Sequence, residues 1–370
     1  MWSPLIAGYF LLAQKKEIRD LGIIKMCKKF NIDIIAKTTT NAAISVSKNV
    51  LAKTFINDKE VKNPEEEHNW QLEARDIFEM PKYRNNKIKT IEKRFETPIG
   101  ELSSLYAYKD SSKTIFQKEY FVKKKEDIKI LKYMYNDLKY LPTYDDTRKE
   151  EAKIGEDGIV AVGVVGSPII DMIENFMGIQ NFLFYLYDYK KDIESLYDTI
   201  FAKNVESLEI IARSPAKLVV VWEDTGTGLY SPDIFRKYIA PVLKIYSDIA
   251  HKNNKYILVH SCGLLKDIIN DLAETGVDGL TDVAQFPTGN INLIDIRKKV
   301  SKDFILTGGI DSTVLTSPDK RIVEKNVIKI LNDMKPYGNF IIGSADSVPA
   351  DTPIENLKLI YKLVEEYGYY

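Results

Sequence analysis

Cysteine is almost missing from this chain: Cys27 and Cys262 are the only two in 370 residues. That is too few for a disulfide framework, so a reducing, cytoplasmic setting is expected, and a cysteine at a strand end is free to act as a thiolate ligand. Cys27 reads as core. An excess of either charge is missing too. With 52 basic residues against 53 acidic ones and a formal net charge of -1, the chain has no electrostatic footprint for nucleic acid or a membrane surface. The expected partner is a small molecule or a protein. Long hydrophobic runs are also lacking. The apolar stretch from Pro4 to Ala13 is too short to span a bilayer, has no basic residues before it and no small-residue cleavage pattern after it, so it is expected to be a buried strand or helix start. There is no internal repeat and no low-complexity tract.

What is present supports a large core. The composition is 45% hydrophobic and 28% charged, which suits one big domain or a domain with a smaller unit. From Gly158 onward, short runs rich in Val and Ile alternate with longer stretches of helical spacing, the pattern of repeated βα units. The runs cover Ile159 to Val165, Leu218 to Trp222, Tyr256 to His260, Gly279 to Val283, Phe304 to Thr307 and Phe340 to Ile342. They are near-continuous rather than alternating, as strands buried on both faces of a parallel sheet should be. Helix starts are expected at Ser231-Pro232, Ser317-Pro318 and Thr352-Pro353-Ile354-Glu355, the last with a capping-box glutamate. No glycine-rich phosphate fingerprint follows any of these strands, which removes the usual dinucleotide reading.

Closing a barrel needs about eight strands, so two must come from the first half. Asp33 to Ala36 is the first choice, then Ile6 to Leu11 or Leu102 to Ala107. The expected fold is therefore α/β, a (β/α)8 TIM-type barrel with N-terminal decorations, and a doubly wound open sheet is the alternative. Residues 1–370 read as a single domain. Residues 57–93 are charged and irregular and read as a surface excursion, and residues 95–122 read as a hairpin decorating the barrel.

The chemistry concentrates at strand ends. His260 and Cys262 close the run Tyr256 to His260, and positions two apart on a strand share a face, so imidazole and thiolate converge. In a β/α barrel the C-terminal strand ends form the active-site face, where a zinc ion bound by nitrogen and sulfur is expected. The plainer reading of an isolated H-x-C is a hydrogen-bonded histidine beside a small buried cysteine. Carboxylates at the other strand ends are Glu223, Asp224, Asp282, Asp311 and Asp346; they could complete a metal site or form a metal-free ring that grips hydrogen-bond donors. The stretch Glu223-Asp224-Thr225-Gly226-Thr227-Gly228-Leu229-Tyr230 reads as a substrate-gripping loop or, equally, as a turn in which Asp224 caps backbone amides.

In this order, Thr97-Pro98-Ile99-Gly100, Glu223-Asp224 leading into Ser231-Pro232-Asp233-Ile234-Phe235, His260-Ser261-Cys262-Gly263, Gly308-Gly309-Ile310-Asp311 and Val348-Pro349 with Thr352-Pro353-Ile354-Glu355-Asn356 resemble the uroporphyrinogen decarboxylase superfamily. The likeness is greatest to its cobalamin-dependent methyltransferase branch. The resemblance implies a distorted β/α barrel with an open cleft at the strand C-termini. It implies zinc held by the H-x-C pair and by a second cysteine near the chain end, activating a thiol acceptor. His260 and Cys262 match two of those ligands. Asp346 stands where the second cysteine would be, and Asp282 or Glu223 are alternative third ligands. The tetrapyrrole decarboxylases of the superfamily carry an arginine-rich motif near the N-terminus, and Trp2 to Lys16 here contains no arginine.

The expected function is methyl transfer between a corrinoid, presented as methylcobalamin or on a separate carrier protein, and a small-molecule substrate. His260 and Asp224 are the expected catalytic residues. Glu223, Asp224, Thr225 and Tyr230 would orient the substrate, and Asp311 and Ser344 would line the floor. The alternatives are a metal-free decarboxylase or lyase of the same superfamily, and a non-catalytic binder of a corrinoid or small molecule.

Overall fold

The computed structural model describes residues 1–37, 40–61, 69–71, 88–109 and 114–369. They form two compact units, one made of Met1–Ala42, Tyr144–Val165 and Ile211–Tyr370, the other of Ala43–Thr143 and Gly166–Ile210.

The first unit is built on a seven-stranded parallel sheet. Its strands, in sheet order, are β1 (Ile34–Ala36), β2 (Gly158–Val165), β3 (Leu218–Trp222), β4 (Tyr256–His260), β5 (Gly279–Val283), β6 (Ile305–Ile310) and β7 (Phe340–Ser344). The near-continuous apolar runs do mark strands closed off from water on both faces. Val219, Val220 and Val221 are fully buried, and burial of a valine side chain is worth about 1.5–3 kcal/mol. One face of β2, β3 and β4 packs inward as a cluster of Ala161, Leu218, Val220 and Leu258, with Trp222 against it. Period-2 alternation carries that face up to His260.

The eighth stave is a short extended piece at the N-terminus. Trp2 and Leu5 form parallel bridges to Ile342 and Ser347. On the other side, the Asp33 N–H donates to the Trp2 carbonyl at 3.0 Å, and the Trp2 N–H donates to the Asp33 carboxylate at 2.7 Å. Both edges of the sheet, β7 and β1, are thereby joined, and the ring closes as a (β/α)8 barrel.

The expectation of a strand at Ile6 to Leu11 is corrected: Gly8–Ala13 is a helix, and the stave lies just before it. A short apolar run cannot be assigned to strand or helix by periodicity alone. Pro4, with no N–H to donate, leaves the stave as separate bridges rather than a ladder. Leu102 to Ala107 is not a barrel strand either; it lies in Gly100–Lys109, an antiparallel strand of the second unit.

Helix starts differ in detail from the expectation. Ser231 caps its helix as expected, accepting from the Ile234 N–H at 3.3 Å with Pro232 in the first turn. The cap of Lys320–Met334 is Asp319, whose carboxylate accepts from the Arg321 N–H, while Ser317 accepts from the Asp319 N–H. The last helix is Ile354–Tyr367 with Pro353 at the cap position and no side-chain cap. Glu355 pairs with Lys358 instead of closing a capping box.

The second unit holds a five-stranded antiparallel sheet and a two-stranded one. In the five-stranded sheet, Thr90–Thr97 and Gly100–Lys109 pair across a tight turn, followed by Thr114–Glu119. Its core includes Trp70, Phe95, Phe121, Tyr135 and Phe176, with ring centroids 4.6–6.2 Å apart. Of the segment 57–93, residues 62–68 and 72–87 lie outside the described residues. Among the described residues, no helix is long and apolar enough to cross a membrane.

Candidate metal centre

β4 delivers His260 to the C-terminal mouth of the barrel with its side chain pointing inward. The imidazole is 4% exposed and lies against Trp222 of the neighbouring strand, ring centroids 5.2 Å apart. Its two nitrogens face different groups. Nδ1 is 2.9 Å from Asp282 Oδ2; a carboxylate can only accept, so Nδ1 carries a proton. Nε2 points into the mouth, 2.9 Å from Asp224 Oδ1 and 3.8 Å from Asp346 Oδ1. The Cys262 thiol donates to Asp224 Oδ1 at 3.7 Å.

Asp224, His260 and Cys262 thus place one oxygen, one nitrogen and one sulfur within 4.8 Å of one another. This donor set suits zinc, which takes carboxylate oxygen, imidazole nitrogen and thiolate sulfur. It also has the outer support expected of a histidine ligand, whose second nitrogen is held by a carboxylate. Asp346, 58% exposed, stands at the rim of the same cluster.

Two irregularities of the backbone create this geometry. Asp224 and Asp282 both have left-handed φ, 45° and 62°, a conformation that aspartate tolerates better than most residues. At Asp282 the register of β5 against β6 shifts, and the bulge turns its side chain to the interior beneath His260. Gly308, opposite the bulge, has φ 116°, and a Cβ there would stand 2.5 Å from the Val283 nitrogen.

Below His260 the polar network continues. Lys37, the residue after β1, reaches Asp282 Oδ1 and Oδ2 at 2.7 Å each and Thr281 Oγ1 at 2.6 Å. Thr281 in turn donates to Asp282 Oδ2 at 2.8 Å, and Thr307 donates to Thr281 at 3.1 Å. Burial alone would push the Asp282 carboxyl up, yet Lys37 and His260 together hold it well below the usual carboxylate range. For His260, burial disfavours the imidazolium, but hydrogen bonds to Asp224 and Asp282 outweigh it and raise its pKa well above the ordinary value. Burial pushes the Cys262 thiol up, and His260 pulls it partly back.

The remaining predicted residues sit around this cluster in distinct ways. Glu223 and Thr225 are fully buried. Thr225 donates through both its N–H and its hydroxyl to the His260 carbonyl, at 3.3 and 3.4 Å. Tyr230 is buried and its hydroxyl accepts from the Gly226 N–H at 3.2 Å, while burial first, and then the charge of Glu223, push its pKa up. Asp311 caps the helix Ser312–Leu315 and accepts from Thr288 and Thr313. Ser344 accepts from the Leu5 N–H at 2.9 Å. The structure therefore brings His260, Cys262, Asp224 and Asp346 together, sets Asp282 behind the ring rather than before it, and engages Thr225, Tyr230, Asp311 and Ser344 with loop and stave backbone or caps.

Lys37 and Thr281 are members that the sequence reading passed over. The available signal was a lysine directly after the apolar run Ile34-Ile35-Ala36, where a charge at a strand end needs a partner.

The chain is similar to known proteins in sequence and in fold. The family model described as "Uroporphyrinogen decarboxylase (URO-D)" matches residues 106–367. A uroporphyrinogen decarboxylase of Rickettsia bellii is 24% identical over 67% of this chain and 72% of its own length; another such relative is matched over 25% of its length. The methylcobamide:CoM methyltransferase MtaA of Methanosarcina barkeri is 20% identical over 58% of this chain and 60% of its own length. In fold, the chain is similar to a methyltransferase from Methanosarcina mazei, with a TM-score of 0.51 and 18% identity over 61% of this chain and 64% of that one.

Proposed function

The chain belongs to the uroporphyrinogen decarboxylase family, and we propose that it is a zinc-dependent methyltransferase of that family, acting between a corrinoid carrier and a small-molecule acceptor. The observation that carries this reading is the convergence of Asp224 Oδ1, His260 Nε2 and Cys262 Sγ within 4.8 Å, with the far nitrogen of the same imidazole held by Asp282. Similarity to a methylcobamide:CoM methyltransferase supports it.

In this reading His260, Cys262 and Asp224 hold the metal, with Asp346 as a further carboxylate at the rim. Bound zinc supplies a Lewis acid that lowers the pKa of a thiol or water acceptor. The protein's own part is orientation and exclusion of water. Trp222 covers one side of the imidazole, Asp282 keeps the proton on Nδ1, and the bonds from Thr225 to the His260 carbonyl tie the loop bearing Asp224 to β4. Asp346 is the exposed acid of the set and stands where an incoming substrate group would meet it. The corrinoid arrives on a separate carrier protein.

Metal analysis of the purified protein, combined with a methyl-transfer assay using methylcobalamin and a panel of thiols, tests this. One zinc per chain, lost in His260→Ala, together with thioether formation is the expected result. Absence of stoichiometric zinc, with no binding on addition, overturns it. A second reading, metal-free decarboxylation, is favoured by the curated relatives named uroporphyrinogen decarboxylase; it requires release of carbon dioxide from a carboxylated substrate by metal-depleted protein.

A further inference from the structure

The ion pair between Lys37 and Asp282 lies almost wholly out of water, the two side chains 2% and 1% exposed. Buried pairs of this kind are poor devices for stability, because an apolar pair of similar volume often serves as well or better. What an apolar pair cannot do is present an oriented acceptor. Lys37 follows β1 and Asp282 belongs to β5, four strands on in the sheet order and thus on the opposite side of the closed ring. The lysine reaches across the barrel interior to grip both carboxylate oxygens, and Thr281 is bonded to both partners. His260 Nδ1 meets Oδ2 at 2.9 Å, the same oxygen that Lys37 and Thr281 hold in place.

We infer that Lys37 is a positioning residue for His260: by fixing the Asp282 carboxylate from across the barrel, it keeps the proton on Nδ1 and presents Nε2 to Asp224, Cys262 and an incoming metal. The inference deepens the zinc reading and rests on it for its purpose, but the orientation itself can be measured without metal. Lys37 is sealed beneath the site and acts only through Asp282.

An asparagine at position 282 exposes this role. A lysine ammonium only donates and lies 2.7 Å from both terminal atoms of residue 282, so in Asp282→Asn it repels the NH2 group whichever way the amide is turned and drives the side chain from its place beneath the imidazole. Nδ1–H then loses its acceptor, and the ring is no longer held with Nε2 toward Asp224 and Cys262. Removing the lysine as well, in Lys37→Met with Asp282→Asn, frees the amide to turn its oxygen back to Nδ1–H and leaves no unpaired buried charge.

The test compares wild type, D282N and K37M/D282N by zinc affinity in chelator competition and by the histidine 15N spectrum of the metal-free proteins. The chain has three histidines, so the His260 signals are assignable by His260→Gln. Expected are an Nδ1–H signal in wild type, its loss in D282N with zinc affinity down about 10–100-fold, and return of both in the double variant. A double variant that binds zinc no better than D282N, or an unchanged Nδ1–H signal in D282N, overturns the inference. If D282N does not fold, Lys37→Met alone, which removes the ammonium from both Asp282 oxygens, is read in the same way: a weakened Nδ1–H signal with reduced affinity supports the inference, and no change in either overturns it. A wild type that binds no zinc but shows the loss and return of the Nδ1–H signal sinks the metal reading alone and leaves Lys37 as the positioning residue.

Discussion

Gly226 and Gly263 pass each other backbone to backbone: a Cβ built on either would stand 2.8 Å from the Cα of the other. The first lies in the loop that carries Asp224, the second follows Cys262, so this contact sets the distance between oxygen and sulfur. Gly263→Ala is expected to force the loops apart. The barrel beneath is untouched, so the loss of stability should stay within about 1–3 kcal/mol, while zinc affinity falls by about tenfold or more. Parallel thermal melts and metal titrations check this; unchanged affinity would show that the loops do not set the donor spacing.

Asp346 stands at the rim, 3.8 Å from His260 Nε2, where the superfamily resemblance places a second cysteine. Asp346→Cys should add a thiolate and raise zinc affinity, and it should intensify the sulfur-to-metal charge-transfer absorption of the cobalt-substituted protein. Asp346→Ala should leave the Cys262 contribution to that band in place. A spectrum identical in wild type and Asp346→Cys would remove Asp346 from the metal's reach.

Metal binding should release protons. His260 has a pKa well above the ordinary histidine value, and the Cys262 thiol is pushed up by burial, so both must give up protons to serve as ligands. Apparent zinc affinity is therefore expected to fall as pH falls, with the dependence extending above the ordinary histidine range. Calorimetry in buffers of different ionisation enthalpy measures the protons released. The metal-free protein carries the complementary sign. A raised histidine pKa contributes stability that is fully present below its unfolded value and is lost as pH rises through the folded value. The stability advantage of wild type over His260→Gln should accordingly shrink on going alkaline, as read by urea unfolding.

Gly308→Ala addresses the bulge that aims Asp282. A Cβ there meets the Val283 nitrogen at 2.5 Å, and φ is 116°, so the substitution should cost at least about 1–3 kcal/mol. It should also weaken zinc binding by moving Asp282 from beneath the imidazole. Urea midpoints and metal titration report the two effects separately.

The strands of the barrel could be read from the chain because strands shielded on both faces need apolar side chains at nearly every position. Leu218–Trp222, Tyr256–His260 and Gly279–Val283 have the bounds that pattern predicts. The eighth stave escaped because Trp2, Ser3, Pro4 and Leu5 make bridges rather than a ladder, and nothing in their composition distinguishes them from a loop. Helix caps moved by a residue or two because Ser317, Asp319 and Thr352 can all cap, and packing selects among them.

For the site, the sequence by itself determined that His260 and Cys262 share a strand end, since alternation along a strand follows from local backbone geometry. It also marked the carboxylates that follow buried runs. Only the tertiary structure decided which nitrogen of His260 faces which acid. Asp282 could be drawn equally well as a ligand until the bulge, with its left-handed φ, turned it beneath the ring. Lys37 lies 245 residues from Asp282 in sequence, and no local pattern links them. Their contact exists because the ring closes and sets β1 opposite β5, leaving a buried ammonium and a buried carboxylate to neutralise each other.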